Sequence, residues 1–471
     1  MNPWDLALNF KDVVLDFTYL SGFLVLATLL RRYVPLLQKF LIPNNVVAGF
    51  FGLLIGSQLL GLINLESARL GQYVYHLLAL TFIAIGLRQQ KTHWGRGPLS
   101  KSFTGLSCYI IQAVIGILVA FGFIYSFWPD LFPGIGFLLP LGFGMGPGIA
   151  YTMGHSWEKF GFEGGGMVGL TFSVIGFLIA YFAGIIIVNR GINNRETTLV
   201  DGPDKITNDM RTGVVSEDEP KIAGRLTLST EAIEPLAFQL ALIGLLYMLT
   251  YGLIHWLTAL MAKAGLQDFV DTVWSFHFVV GLLIAIVTRA LMDRTGSSFI
   301  IDRGLMNRTS GVCMDYLVTA SIAAINIAIV GRYWGPILVM SILGGIGTYA
   351  VVKYASTRAF DDYHFERFVG IFGEMTGTIN SGLVLIRVTD PEFDTPAAED
   401  LAYGGGISLF LGLPLLILLT VPMSVFGNSL RGYWITFGII LIYAAVLWTA
   451  WRLIGFIRYT RPVFKRSESR Q

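Results

Sequence analysis

The string Glu374-Met375-Thr376-Gly377-Thr378-Ile379-Asn380-Ser381 sets hydroxyl and amide oxygens and one carboxylate into apolar sequence, and Arg387 follows it. Such oxygens, joined by carbonyls that glycine frees from a helix, are hard donors suited to a sodium ion. A half-helix beginning there also presents unpaired N–H groups and a positive dipole end to an anion. Thr376, Thr378, Asn380 and Ser381 are therefore candidate substrate contacts, and the planar fork of Arg387 suits a carboxylate. A second interruption, Gly142-Phe143-Gly144-Met145-Gly146-Pro147-Gly148, precedes Tyr151 and Thr152, two further candidates for substrate contact. Gly144, Gly146, Gly148, Gly377 and Glu374 are the candidate sodium ligands.

Both interruptions hold a G-x-x-x-G core, Gly144 with Gly148 and Gly373 with Gly377. Paired breaks of this kind mark transport sites in membrane proteins. The competing reading is that the glycines only let two helices approach closely. Glu374 likewise has two readings: it meets a substrate amino group, a sodium ion or a proton, or it pairs structurally with Arg387. His155 and His277 read as structural, and Asp16, Asp271 and Asp315 as solvated capping residues near span ends.

Long apolar elements must carry these residues. The 471-residue chain is 54% hydrophobic and 14% charged, with mean hydropathy +0.64, and its apolar runs are long enough to cross a bilayer. Spans are expected near 13–30, 45–63, 72–87, 102–128, 165–189, 233–261, 269–288, 312–330, 336–355, 405–424 and 434–457. The stretches 135–157 and 366–388, broken by Gly, Pro, Thr and Asn, are expected to be re-entrant hairpins, since backbone freed from helix at membrane depth must be buried or line a cavity. The fold class is thus an all-α polytopic membrane protein of about eleven spans.

Positive residues orient the layout. With the N-terminus outside, the inward ends gather Arg31, Arg32, Lys39, Arg88, Lys91, Arg96, Lys101, Arg289, Arg294, Arg303, Arg308, Lys353, Arg358 and Arg367, against Lys11, Arg69, Lys263, Arg332 and Arg431 outside. The C-terminus is then cytoplasmic. Residues 191–232, with Glu217-Asp218-Glu219-Pro220, read as a cytoplasmic linker between a first unit over 1–190 and a second over 233–424. Each unit has five spans and one hairpin, so the second is inverted, and 425–471 adds one span and a basic tail. Residues 1–12 lack the pattern of a cleavable signal, so the first span is expected to stay. Cys108 and Cys313 lie in apolar runs and indicate neither disulfide nor metal site. No phosphate loop, zinc motif or convergent nucleophile is present, so an ion gradient is the expected energy source and neither enzymatic activity nor an organic cofactor is expected.

Four strings resemble the bacterial sodium/glutamate symporter family. Ile42-Pro43-Asn44-Asn45-Val46-Val47-Ala48-Gly49 resembles its I-P-x-P-V-x-G-G opening, and Leu80-Thr81-Phe82-Ile83-Ala84-Ile85-Gly86-Leu87 its F-F-A-T-I-G-L span. Residues 144–150 and 370–382 occupy the places of its two Gly-rich signatures, with Met145 and Pro147 where the family has His and Thr. The match in order and spacing covers about 14–424. The resemblance implies two inverted five-span repeats, sodium-driven uptake of glutamate or a related anionic amino acid or carboxylate, a homodimer in the cytoplasmic (inner) membrane, and a core that moves past a scaffold. No nucleic-acid partner is expected. The alternatives are a sodium/proton antiporter using Glu374, or a channel.

Overall fold

The computed structural model describes residues 10–88, 95–199, 212, 224–265, 270–390 and 394–458, and every regular element in them is helical. The helices are α1 (Phe10–Tyr33), α2 (Pro35–Lys39), α3 (Asn44–Ile55), α4 (Ser67–Leu87), α5 (Arg96–Ser126), α6 (Leu138–Phe143), α7 (Pro147–Ser156), α8 (Gly165–Leu178) and α9 (Gly184–Asn193). Then come α10 (Pro235–Lys263), α11 (Val270–Ser275), α12 (His277–Thr295), α13 (Arg303–Ala323), α14 (Ile327–Ala359), α15 (His364–Thr376), α16 (Ile379–Thr389), α17 (Ala397–Ser424) and α18 (Leu430–Leu453). A π-helical turn, Ile179–Ala183, joins α8 to α9.

Among the described residues, 8 helices are long and apolar enough to cross a membrane: α1, α4, α5, α8 with α9, α10, α14, α17 and α18. This establishes an all-α, multi-pass membrane protein. Three expected spans take other forms, each for a local reason. The run at 45–63 yields only the 12 residues of α3, because Pro43 caps its start and Gly56 leaves helical conformation at its end. At 1.5 Å per residue that is about 18 Å, short of a hydrocarbon core of about 30 Å. The run at 269–288 breaks at Phe276, between α11 and α12. In place of 312–330, helix α13 starts at Arg303, where Asp302 accepts the Leu305 N–H, and α14 starts afresh where Asn326 accepts the N–H groups of Ala328 and Ile329. The sequence shows that Asn326 signal as a capping residue inside an apolar run. Lys91, most of 191–232 and the tail beyond Arg458 lie outside the described residues.

The helices sort into two bundles. In one, α4 packs on α12 and α13, α3 on α1 and α13, and α10 on α12. In the other, α5 is the hub, packing on α6, α14, α17 and α18, while α7 lies on α8 and α15 on α16. Each bundle draws helices from both halves of the chain. Each also holds a buried ion pair. Arg69 donates to both carboxylate oxygens of Asp16, at 2.7 and 3.0 Å, so Asp16 is a buried partner in the first bundle and not a solvated cap. Helix α18 runs along α5, with Trp434 stacked on Phe121 at 4.5 Å and Trp451 on Phe103 at 5.6 Å.

Candidate functional site

The two broken stretches are helical hairpins inserted from opposite ends of the second bundle. The first spans α6 and α7, and its flanks lie together, because Phe132 and Phe162 stack with ring centroids 4.5 Å apart. The second spans α15 and α16. Its arms fold back so closely that a Cβ on Gly373 would stand 2.9 Å from the Gly382 Cα, and one on Gly382 would stand 2.4 Å from the Gly370 carbonyl oxygen. Its base lies at the end marked by Arg96, which binds Asp361 at 2.5 Å, and by Arg367, whose Nε donates to Asp400 at 2.8 Å. The tips meet inside the bundle: a Cβ on Gly144 would stand 3.6 Å from the Met375 carbonyl oxygen, and one on Gly146 would stand 3.9 Å from Thr378 Cγ2.

Helix α5 holds both tips with one stripe of side chains. The Tyr109 hydroxyl donates to the Gly144 carbonyl at 3.2 Å, and Gln112, one turn on, donates to the Met375 carbonyl at 2.9 Å and to Thr348 at 2.8 Å. Residues three or four apart share a helix face, so a single straight element grips both breaks. Two turns before Tyr109, the Lys101 Nζ, fully buried, binds Glu374 Oε1 at 2.7 Å. Lys101 is thus an interior partner and not a residue of a loop end. Glu374, expected as a sodium ligand or as a partner of Arg387, faces this ammonium.

At the second tip, Gly377 ends α15 and Thr378 caps α16 in a capping box with Ser381. The box satisfies two of the N–H groups at the start of α16 within the tip itself. The Ser381 hydroxyl also meets the Tyr181 hydroxyl at 2.7 Å, which fixes the tip to the π-helical turn. The Thr376 hydroxyl donates to Phe372 in its own helix, and its carbonyl abuts Gly176.

Thr378 and Asn380 line a cavity of about 120 Å³ between the two bundles. Tyr181 and Phe177 complete its wall on the second bundle, while Asn45 of α3 and Asp315 of α13 face them from the first. Asn45 Nδ2 donates to Asp315 Oδ1 at 2.8 Å, which aims the carboxylate. An acid, two amides and two hydroxyl groups thus line one space, beside the N-terminus of α16. Among the described residues no group of three or more His, Cys, Asp or Glu forms a metal cluster.

The remaining candidates lie elsewhere. Arg387 is half-buried on α16, seven residues past Asn380 and about 10 Å along the helix, and does not line this cavity. Gly148 packs on Leu78 and Tyr151 on Gly71, so both serve the contact between the bundles. Thr152 is buried, and with Gly144 and Gly146 it stays outside the cavity wall. The close-packing reading of G-x-x-x-G therefore fits Gly148 and Gly373. His277 is held by the carbonyls of Tyr75 and Trp274, at 2.9 and 3.1 Å, in the structural role expected of it. Asp271 binds Lys159 at 3.2 Å and ties the first hairpin to the first bundle.

Comparison with protein-family models, curated proteins and solved structures gave no match.

Sequence reasoning passed over Lys101, Asn45, Tyr181 and Asp315. Lys101 did leave a signal, because the sequence holds no other charge from it to Asp130. Asp315 left less, since a carboxylate near a span end is indistinguishable in sequence from a solvated cap.

Proposed function

We propose that this protein is a sodium-coupled secondary transporter for an amino acid or related carboxylate, its site being the cavity between the second tip and the Asn45–Asp315 pair. The observation that carries the reading is that this cavity lies between two helix bundles, one of which bears both broken hairpins. Movement of one bundle past the other would open the cavity to alternate ends, which is the elevator form of alternating access. Insertion of the hairpins from opposite ends supports an inverted-repeat origin.

The charge pattern supports such a ligand. The α16 N-terminus favours a carboxylate, while Asp315 favours a cation, either the coupling sodium or the ammonium of an amino acid. Glu374, which an antiporter would need open to an ion, faces Lys101 at 2.7 Å. We therefore assign the cation to Asp315.

The test is uptake of radiolabelled glutamate and other amino acids into proteoliposomes, with and without an inward sodium gradient. Gradient-dependent uptake is expected, and Asp315→Asn should lower it by about 10- to 100-fold, the worth of one charge-assisted hydrogen bond. Sodium-independent flux, or no flux for any amino acid or carboxylate, overturns the function. Parent-like uptake by Asp315→Asn overturns the site alone.

A further inference from the structure

A larger groove, of about 630 Å³, opens on the outer side of the second bundle, away from the tip cavity. One wall is α9 with the π-helical turn before it, and the other is α14. Its floor is the first arm of the second hairpin, through Phe365, Phe368 and Phe372. Ile186, Ile342 and Ile346 stand on its walls and are 48%, 53% and 60% exposed, an apolar surface that a membrane protein turns to lipid.

Polarity in the groove is confined to one end. Arg190 and Lys353 stand there on opposite walls, with Asn194 and Glu196 beside them. Lys353 also donates to the Tyr349 hydroxyl at 3.1 Å, and Glu196 accepts from Asn194 at 3.4 Å. From Lys353 down to Ile342, and from Arg190 down to Ile179, the walls each descend about 16 Å at the helical rise. A single leaflet of a hydrocarbon core about 30 Å thick has that depth. The cations sit where a headgroup would lie and the isoleucines where an acyl chain would lie.

We infer that this groove binds one anionic phospholipid, its phosphate between Arg190 and Lys353 and one acyl chain against the hairpin floor. Among the described residues that line the groove, two cations stand with one carboxylate, Glu196, and a basic pocket at the headgroup level selects anionic over zwitterionic lipid. The chain would rest on Phe368 and Phe372, one turn or two before the tip, so the lipid would brace the hairpin that borders the tip cavity.

The test needs no transport assay. Protein purified in detergent is given phosphatidylglycerol or phosphatidylcholine with identical acyl chains, and retained lipid is read by native mass spectrometry. Phosphatidylglycerol should be retained preferentially. Arg190→Ala and Lys353→Ala should each weaken its retention by about fivefold, the value of one basic residue near a charged membrane surface. Ile346→Trp, which fills the groove, should reduce retention of both lipids while leaving the thermal midpoint unchanged. Equal retention of the two lipids, or parent-like retention by the Arg190 and Lys353 variants, overturns the inference. So does Ile346→Trp turning a dimer into a monomer with lipid retention intact, because the groove would then be a subunit contact.

Discussion

The two hairpin tips solve one problem, that of holding broken helix inside a bundle, by different means. The first hairpin is held mainly by close packing: a Cβ on Gly142, just before its tip, would stand 2.6 Å from Phe172 Cβ, and one on Gly154, toward its base, would stand 2.3 Å from the Gly165 carbonyl oxygen. The second has close glycines too, but adds the Lys101–Glu374 pair and the Ser381–Tyr181 bond near its tip, and the Arg367–Asp400 pair at its base. Directional bonds let its tip keep polar side chains facing a cavity. The first tip is held by the Tyr109 bond to the Gly144 carbonyl and otherwise by close packing. The first tip therefore acts as a wedge and the second as the wall of a site.

The largest effect should come from breaking the charge that distinguishes the second tip. Lys101→Met leaves Glu374 buried without its counter-ion, and removal of one partner from a buried pair costs about 3–5 kcal/mol. Thermal unfolding in detergent should show that loss, and the double variant Lys101→Met/Glu374→Leu should recover most of it, since a packed apolar pair replaces a paired charge at little cost. A single variant as stable as the parent would mean that packing holds both tips alike.

The same contrast explains what could be read in the sequence. The breaks at Gly144–Gly146 and Gly377 were legible because glycine, proline and polar residues are dense there, whereas single prolines such as Pro336 and Pro414 are carried inside α14 and α17. The long spans were legible because their hydropathy is carried by whole segments. The partners of the tips were not, because each lies far along the chain: Lys101 meets a residue 273 positions away, and Gln112 one 263 positions away. Hydropathy sees neither pairing nor depth. It also misplaced α13, whose Arg303, Arg308 and Asp315 dilute its apolar character although it is one continuous helix.

A smaller effect should come from crowding the first hairpin. Gly154→Ala puts a methyl group against the Gly165 backbone, which cannot rotate away as a side chain would, and overpacking of this kind costs about 1–3 kcal/mol. Gly146→Ala tests conformation instead of space. Its φ of +92° and ψ of 166° lie in a region nearly exclusive to glycine, and its added Cβ would meet only Thr378 Cγ2, at 3.9 Å. Backbone strain of about 1–3 kcal/mol is the expected cost, again read by thermal unfolding. If Gly146→Ala unfolds with the parent, the first tip is mobile enough to relax, and the description of it as a fixed wedge fails.

The smallest effect is the most discriminating. Ser381→Ala removes its part of the α16 capping box and the bond to Tyr181, for about 1 kcal/mol of stability, and Tyr181→Phe removes only that bond. Because both changes remove the same contact, their costs should not add, and a double-mutant cycle should return a coupling of about 0.5–1 kcal/mol. Uptake then tells a structural bond from a functional one. Tyr181 also lines the cavity, and its bond to Ser381 fixes the tip that carries Thr378 and Asn380. Loosening it should raise the substrate KM by more than the stability loss alone accounts for. Additive costs with an unchanged KM would mean that Ser381 serves the helix cap only, and that the second tip keeps its shape without the π-helical turn.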